Sequence, residues 1–310
     1  MKKFFGVFFL LITGGIIFYF SPFYTKFDLP KFVSDGSKGN VAAAQARTPF
    51  WTPHTLATPS KEAYPIISGK SAYVVDLSTN TLLMSKNPDL RTPVGSVQKI
   101  VTGMVVLDHL DPNSFTTITK YAASKTPDSM GLYPGEKLTI NQLLYGLILV
   151  SGNDAAVALA EATSGSESKF VAQMNKKAES LGLNNTHFVN PNGLDEGFQY
   201  SSAFDIAAFS VKLIRDYPLL AKIVATREIT FPFTVTEEEN HKDYVLVNNS
   251  PTLNLEGYLG IKPGYTPEAG LCLVTLVQRG SHQFLIVVLG SEDRKGDSEA
   301  LLQFAQSTTF

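Results

Sequence analysis

Val94-Gly95-Ser96-Val97-Gln98-Lys99-Ile100 carries a serine and a lysine three positions apart, and Ser151-Gly152-Asn153 and Lys262-Pro263-Gly264 follow in that order. If Ser96 opens a helix, position i+3 lies on the same face one turn on, so the Lys99 ammonium reaches the Ser96 hydroxyl. A serine hydroxyl is a weak nucleophile near neutral pH. It needs an adjacent base, and a lysine serves as one when burial or a second cation lowers its pKa. Lys262 could supply that second cation. On its own, Ser96 reads equally well as a helix N-cap and Lys99 as a solvated helix lysine. What raises the catalytic reading is their spacing, the two later motifs in register, and the apolar residues Ile100, Val101 and Met104 that make the helix mostly buried.

Outward from this stretch, Val105 and Leu107 continue the apolar positions of a helix running from Ser96 to about His109. Ser96 then sits at its N-terminal end, near the positive end of the helix dipole. Residues 72–77 and 82–84, separated by Ser78-Thr79-Asn80, read as a β-hairpin. Helical patterns follow at 140–150, 155–162, 167–181 and 203–215, with a capping box expected from Ser164 and Glu167. Two apolar β runs, 271–277 and 284–289, flank Arg279-Gly280-Ser281 as a second hairpin, and a last helix covers 298–305. Strands at both ends with helices between imply an α/β (α+β) fold. Its N- and C-terminal strands meet in one antiparallel sheet, with helices on the faces, a helical lobe beside it and a cleft between.

The N-terminus has its own logic. Met1-Lys2-Lys3 precedes an uncharged apolar run, Phe4 to Phe20, and the next charge is Lys26. Seventeen helical residues span roughly 26 Å, enough for a bilayer core of about 30 Å with interfacial help from Ser21 to Tyr24. Bulky residues follow the run where signal peptidase wants small ones, and Ala44-Gln45-Ala46 lies too far downstream, so an uncleaved anchor is favoured over a signal peptide. Lys2 and Lys3 keep the short end cytoplasmic and send the chain outside. The expected organisation is an anchor or signal segment over 1–25, a Pro/Ser/Gly/Ala/Thr-rich linker over 26–63 and a catalytic domain over 64–310.

Composition excludes several classes. The formal charge of −2 with no basic stripe argues against nucleic acid. A single cysteine, Cys272, rules out an intramolecular disulfide and reads as strand filler. Five scattered histidines without H-E-x-x-H or C-x-x-C spacing give no metal site, and no cofactor is expected.

The ordered motifs resemble S-x-x-K, S-x-N and K-T-G of penicillin-binding proteins and serine β-lactamases. Tyr133-Pro134-Gly135-Glu136-Lys137, Leu144-Tyr145-Gly146-Leu147, Ser151 to Ala156, Phe188 to Leu194 and Gly260 to Thr266 narrow the resemblance. From about Ser71 to the C-terminus the chain looks like a low-molecular-mass serine-type D-alanyl-D-alanine carboxypeptidase. That resemblance implies the β-lactamase/penicillin-binding-protein fold, peptidoglycan stem peptides as substrate and acylation by β-lactams. It implies Ser96 as nucleophile, Lys99 as base, Ser151 relaying a proton to the leaving amine, and Asn153 holding Lys99 or the substrate amide. Lys262 would bind the terminal carboxylate, with Gly264, Tyr265 and Thr266 after it as further substrate-binding residues. The backbone N–H groups of Ser96 and Tyr265 would form the oxyanion hole, and Arg294 resembles in position an arginine near the carboxylate site. Alternatives are a β-lactamase, for which no E-x-x-L-N loop appears between Asn153 and Lys262, a DD-endopeptidase or transpeptidase, and a non-catalytic peptidoglycan-binding membrane protein. Pro263 replaces the family's threonine, which removes a hydroxyl and a backbone donor and places this strand at an edge or a bulge.

Overall fold

Six β-strands form the central sheet of the computed structural model, which describes residues 48–55, 64–232 and 243–309. They are β1 (His54–Thr55), β2 (Ser71–Asp76), β3 (Thr81–Lys86), β8 (Tyr258–Thr266), β9 (Gly270–Arg279) and β10 (His282–Ser291), in the order β1-β3-β2-β10-β9-β8. The expected hairpins are β2–β3 and β9–β10, and β2 pairs with β10, joining the two ends of the chain in one sheet. All pairings are antiparallel except that of the two-residue β1, which runs parallel to β3.

Alternation along the strands divides the core. Ala72, Val74, Phe284, Ile286 and Val288 face one cluster, closed by Leu301, Leu302 and Ala305 of helix α8 (Arg294–Thr309). Tyr73, Val75, Leu285, Val287 and Leu289 face the larger cluster shared with the helical lobe. Side chains that alternate between faces but are buried on both produce the near-continuous apolar runs seen in the sequence.

The lobe is built on α1 (Lys99–Leu107), whose Ile100, Val101, Met104, Val105 and Val106 are all buried. Around it lie α3 (Ile140–Leu149), α4 (Asn153–Ser164), α5 (Glu167–Ser180), α6 (Ala203–Asp216) and α7 (Pro218–Ala225), with the single turn α2 (Lys120–Ala123) beside α4. Two ribbons, β4–β5 (Phe115–Thr117 with Lys137–Thr139) and β6–β7 (Glu228–Phe231 with Tyr244–Val247), trim the lobe.

Local chemistry corrects one expectation. Ser164 ends α4 rather than capping α5; Ser166 is the N-cap, accepting from the Lys169 N–H. Gly165 between them, at φ +73°, turns the chain out of α4. The full capping box lies at Thr139 and Gln142, opening α3.

The apolar run Phe4 to Phe20 lies outside the described residues, and so does most of the linker. Among the described residues no helix is long and apolar enough to cross a membrane. Residues 48–55, within the stretch read as linker, are seated on the domain. Trp51 is buried, donates its indole N–H to Asn80 at 2.7 Å and stacks on Phe204, while β1 pairs with β3.

Candidate active site

Ser96 lies in a single 3-10 turn, Gly95–Gln98, that runs directly into α1. The tighter turn still places Lys99 over Ser96, and the Lys99 Nζ lies 2.8 Å from Ser96 Oγ. Nζ also lies 2.8 Å from Asn153 Oδ1 and 2.6 Å from the Asn192 carbonyl. Asn153 opens α4, and its amide orientation is fixed because Nδ2 donates to the Pro127 carbonyl at 2.6 Å.

Lys99 is fully buried. Burial holds its pKa well below the ordinary lysine value, and the neighbouring Lys262 charge pushes it down further, against the opposing pull of Asp128 and Asp154. A neutral amine has two N–H bonds and one lone pair. Asn153 Oδ1 and the Asn192 carbonyl can only accept, so they take the two N–H bonds. The lone pair is left facing Ser96 Oγ, whose hydroxyl can donate into it. This is the geometry a proton acceptor needs.

Lys262, on β8, is equally buried, and its Nζ makes no hydrogen bond among the described residues. Burial lowers its pKa to about 7, with Asp128 opposing and Arg294 adding to the fall. Ser151 Oγ is also buried without a hydrogen-bond partner among the described residues. Ser151 holds a left-handed backbone, φ +62°, unusual for a residue with a side chain. It is kept there because Gly152 N–H donates to Gly146 O at 3.0 Å and Asn153 N–H to Asp128 O at 2.7 Å. Two buried polar groups left unsatisfied cost stability, and a ligand anion or hydroxyl could satisfy both.

The three segments meet at very short range. A Cβ on Gly264 would lie 2.6 Å from Val94 O and 3.1 Å from Ser96 N, and one on Gly193 would lie 2.3 Å from Gly95 O. Only glycine lets β8 and the 190–194 turn approach the Ser96 turn this closely. The same junction brings the Tyr265 nitrogen beside Gly95, the residue before Ser96. β8 is an edge strand, which accommodates Pro263 at its pairing position opposite Leu273.

Ser96, Lys99 and Asn153 are thus joined by hydrogen bonds, Lys262 is close enough for its charge to act on Lys99, and Gly264 and Tyr265 lie against the Ser96 turn, whereas Ser151 is tied to the group only as the residue two before Asn153. Two expected residues have other engagements. Thr266 Oγ1 donates to Asp195 Oδ1 at 2.5 Å. Arg294 Nη1 donates to Gly264 O at 2.7 Å and Cys272 O at 3.4 Å, so its guanidinium braces β8 and β9. Cys272 is buried in β9. Among the described residues no cluster of His, Cys, Asp or Glu is arranged to hold a metal.

Two important groups were missed at the sequence level. Asn192 contributes a backbone carbonyl, which carries no side-chain signature. Asp154 accepts from Ser129 Oγ, from the N–H groups of Met130, Gly131 and Leu132, and from that of Ala155, at 2.6 to 3.1 Å. It thereby fixes the loop that contacts Asn153. The only hint was its place within Ser-Gly-Asn-Asp.

Comparison with known proteins assigns the family. The D-alanyl-D-alanine carboxypeptidase family, peptidase S11, matches residues 58–293. D-alanyl-D-alanine carboxypeptidase DacF of Bacillus subtilis is 37% identical over 247 residues, covering 77% of this chain and 62% of that protein. DacA of Escherichia coli K12 is 35% identical over 243 residues, 75% of this chain and 58% of that one. The chain therefore spans less than two thirds of the length of either relative. The crystal structure of the Streptomyces K15 DD-transpeptidase superposes with a TM-score of 0.72 at 31% identity, covering 79% of this chain and 99% of that one. By the family match over most of its length and by its shared fold, the chain belongs to the peptidase S11 family of D-alanyl-D-alanine carboxypeptidases.

Proposed function

We propose that the protein is a serine-type D-alanyl-D-alanine carboxypeptidase that trims peptidoglycan stem peptides through an acyl-enzyme and is acylated by β-lactams. The observation that carries this reading is the valence of Lys99: two of its positions are spent on pure acceptors and the third faces Ser96 Oγ. Lys99 takes the Ser96 proton as Oγ attacks the carbonyl between the two D-alanines. The N–H groups of Ser96 and Tyr265 receive the oxyanion. As the C–N bond breaks, Lys99 returns the proton through Ser151 to the leaving amine, and D-alanine departs. Water then adds to the ester with Lys99 again as base, which restores Ser96 and frees the shortened peptide. Lys262, buried and without a hydrogen bond among the described residues, pairs with the substrate's terminal carboxylate, and Gly264 lets β8 lie against the acyl group.

The Streptomyces K15 relative is named a transpeptidase, and the acyl-enzyme is common to both reactions; only the acceptor differs. The test combines two readouts on the full-length protein in detergent. Benzylpenicillin labelling followed by a tryptic digest places a single adduct on the Ser96 peptide, and a D-Ala-D-Ala peptide releases free D-alanine in water. An adduct elsewhere, or none on folded protein, refutes the proposal.

We also propose that the Phe4 to Phe20 run tethers the domain to the outer face of the cytoplasmic membrane, on the strength of Lys2 and Lys3 ahead of it. Protease added to intact spheroplasts is expected to release the domain. Protection equal to that of a cytoplasmic control reverses the topology.

A further inference from the structure

β8 is the edge of the sheet: among the described residues β9 is its one strand neighbour, and Gly264 on β8 lies against the Ser96 turn. Something must keep that edge, with Lys262 and Tyr265, in register with Ser96 and Lys99 across the cleft. The segment from Phe188 to Gln199 touches both sides. On the lobe side, Asn192 O accepts from Lys99, Pro191 O from Thr102 Oγ1 at 2.6 Å and Asn190 O from Gln98 Nε2 at 2.6 Å. On the sheet side, Asp195 Oδ1 accepts from Thr266 Oγ1 at 2.5 Å and Oδ2 from Glu268 N–H at 3.1 Å. Thr266 Oγ1 in turn accepts from Ala269 N–H at 3.0 Å, so one carboxylate grips the whole β8–β9 turn.

Between these anchors the segment has little slack. Asn190 Oδ1 accepts from Gly193 N–H, Asn192 Oδ1 from Leu194 N–H, and Gln199 Oε1 from the N–H groups of Val189 and Asn190, all at 2.8 to 3.3 Å. Gln199 Nε2 also donates to Leu194 O at 3.2 Å. A displacement at Asp195 is therefore transmitted to Asn192, three residues earlier in the chain, rather than absorbed within the turn.

We infer that Asp195 is a positioning residue: through Thr266 it clasps edge strand β8 to the turn that supplies Lys99 with its Asn192 acceptor, setting the distance between Lys262 and the Ser96–Lys99 pair. The inference rests on the carboxypeptidase reading, because it assigns Asp195 an effect on the Ser96 acylation step. Asp195 touches no reacting atom. Its carboxylate acts at the turn, and the rate responds because misplacement of catalytic groups by about 1 Å can cost on the order of a hundredfold.

The experiment measures the rate of Ser96 acylation by a fluorescent penicillin, together with the melting temperature, on full-length protein. Labelling of the parent comes first; a parent that is not labelled overturns the carboxypeptidase reading and this inference with it. With the parent labelled, Asp195→Ala is expected to slow acylation by about ten- to a hundredfold while still melting cooperatively. Asp195→Asn keeps one acceptor for Thr266 and cannot accept from Glu268 N–H, so it should fall between the parent and Asp195→Ala. Adding Thr266→Val to Asp195→Ala should slow the reaction no further than the slower single variant, because both cut the same connection. A merely structural staple would lower the melting temperature and leave the acylation rate of folded protein unchanged. Parental acylation rates in folded Asp195→Asn or Asp195→Ala, or fully additive losses in the double variant, overturn the assignment.

Discussion

Replacing Lys262 by methionine should stabilise the protein and cripple it in the same step. The Lys262 ammonium is buried without a hydrogen bond among the described residues, and its pKa has fallen from the ordinary 10.5 to about 7. At 1.36 kcal/mol per pH unit, that depression corresponds to a cost on the order of 5 kcal/mol in the folded state near neutrality. The unfolded lysine holds its proton up to 10.5, the folded one only up to about 7. Between those limits the unfolded chain binds more protons, so this group makes stability rise with pH across the window and flatten below it. Methionine fills similar volume and removes the charge. Imperfect packing takes part of the gain, leaving a stabilisation of about 1–4 kcal/mol at pH 7, as found when buried charges give way to apolar groups. Urea denaturation at pH 7 and at pH 10 measures this: the variant should be the more stable at pH 7, and the difference should shrink at pH 10. Peptide kcat/KM should fall at the same time by a factor equivalent to about 2–5 kcal/mol, the usual penalty for truncating one partner of a buried charge pair. A Lys262→Met protein no more stable than its parent at pH 7 would mean that Lys262 is satisfied in solution, and the carboxylate-site argument would lose its basis.

Lys99→Met should lose penicillin acylation by about two to four orders of magnitude, the span of a general base, and a parental rate in labelling kinetics would require a different base. In Lys262→Met the acid limb of acylation should move to higher pH. Lys99 must be neutral to act, and of the charges acting on it, Lys262 lowers its pKa whereas Asp128 and Asp154 raise it; an unmoved limb in the pH profile contradicts that coupling. Gly264→Ala puts a Cβ 2.6 Å from a backbone carbonyl, forcing β8 away from Ser96, and should slow acylation by about a hundredfold while leaving far-ultraviolet circular dichroism unchanged; a parental rate would show that the strand is not held at this distance. Pro263→Thr restores a hydroxyl and should raise peptide kcat/KM more than penicillin acylation, by up to the equivalent of about 1.5–3 kcal/mol for a charge-assisted hydrogen bond; an unchanged or lower peptide value in folded protein means that the cleft is adapted to proline.

Much of the fold was legible because its elements are dictated by local pattern. The hairpins β2–β3 and β9–β10 come from apolar β runs broken by Ser78-Thr79-Asn80 and Arg279-Gly280-Ser281, and α1, α3, α5 and α6 from apolar periodicity. What escaped is what local pattern does not encode. α7 is only eight residues long and follows α6 after a single residue, Tyr217, too short a stretch for apolar periodicity to mark it as a separate helix. The ribbons β4–β5 and β6–β7 are short and largely exposed, and they exist through pairing between segments distant in sequence. Trp51 looked like part of a polar tether because the residues that bury it, Asn80 and Phe204, lie far along the chain.

The site divides along the same line. Ser96 and Lys99 are legible because the chemistry needs two side chains at one helical spacing, and Ser151, Asn153 and Lys262 because their residue types recur in a fixed order. Asn192 acts through a carbonyl that any residue would supply, so its identity says nothing about the contact with Lys99. Pro263 joins the two levels. On sequence it announced an edge or a bulge, and β8 is the edge strand. An edge strand has a strand neighbour on one side only, so its placement depends on the glycine contact at Gly264 and on the clasp from Asp195 to Thr266. Thr266 was expected beside the substrate because it follows the motif, yet its hydroxyl is committed to that clasp. A residue type that suits ligand binding is equally suited to holding the strand that binds, and the bond to Asp195 gives Thr266 the second of these tasks.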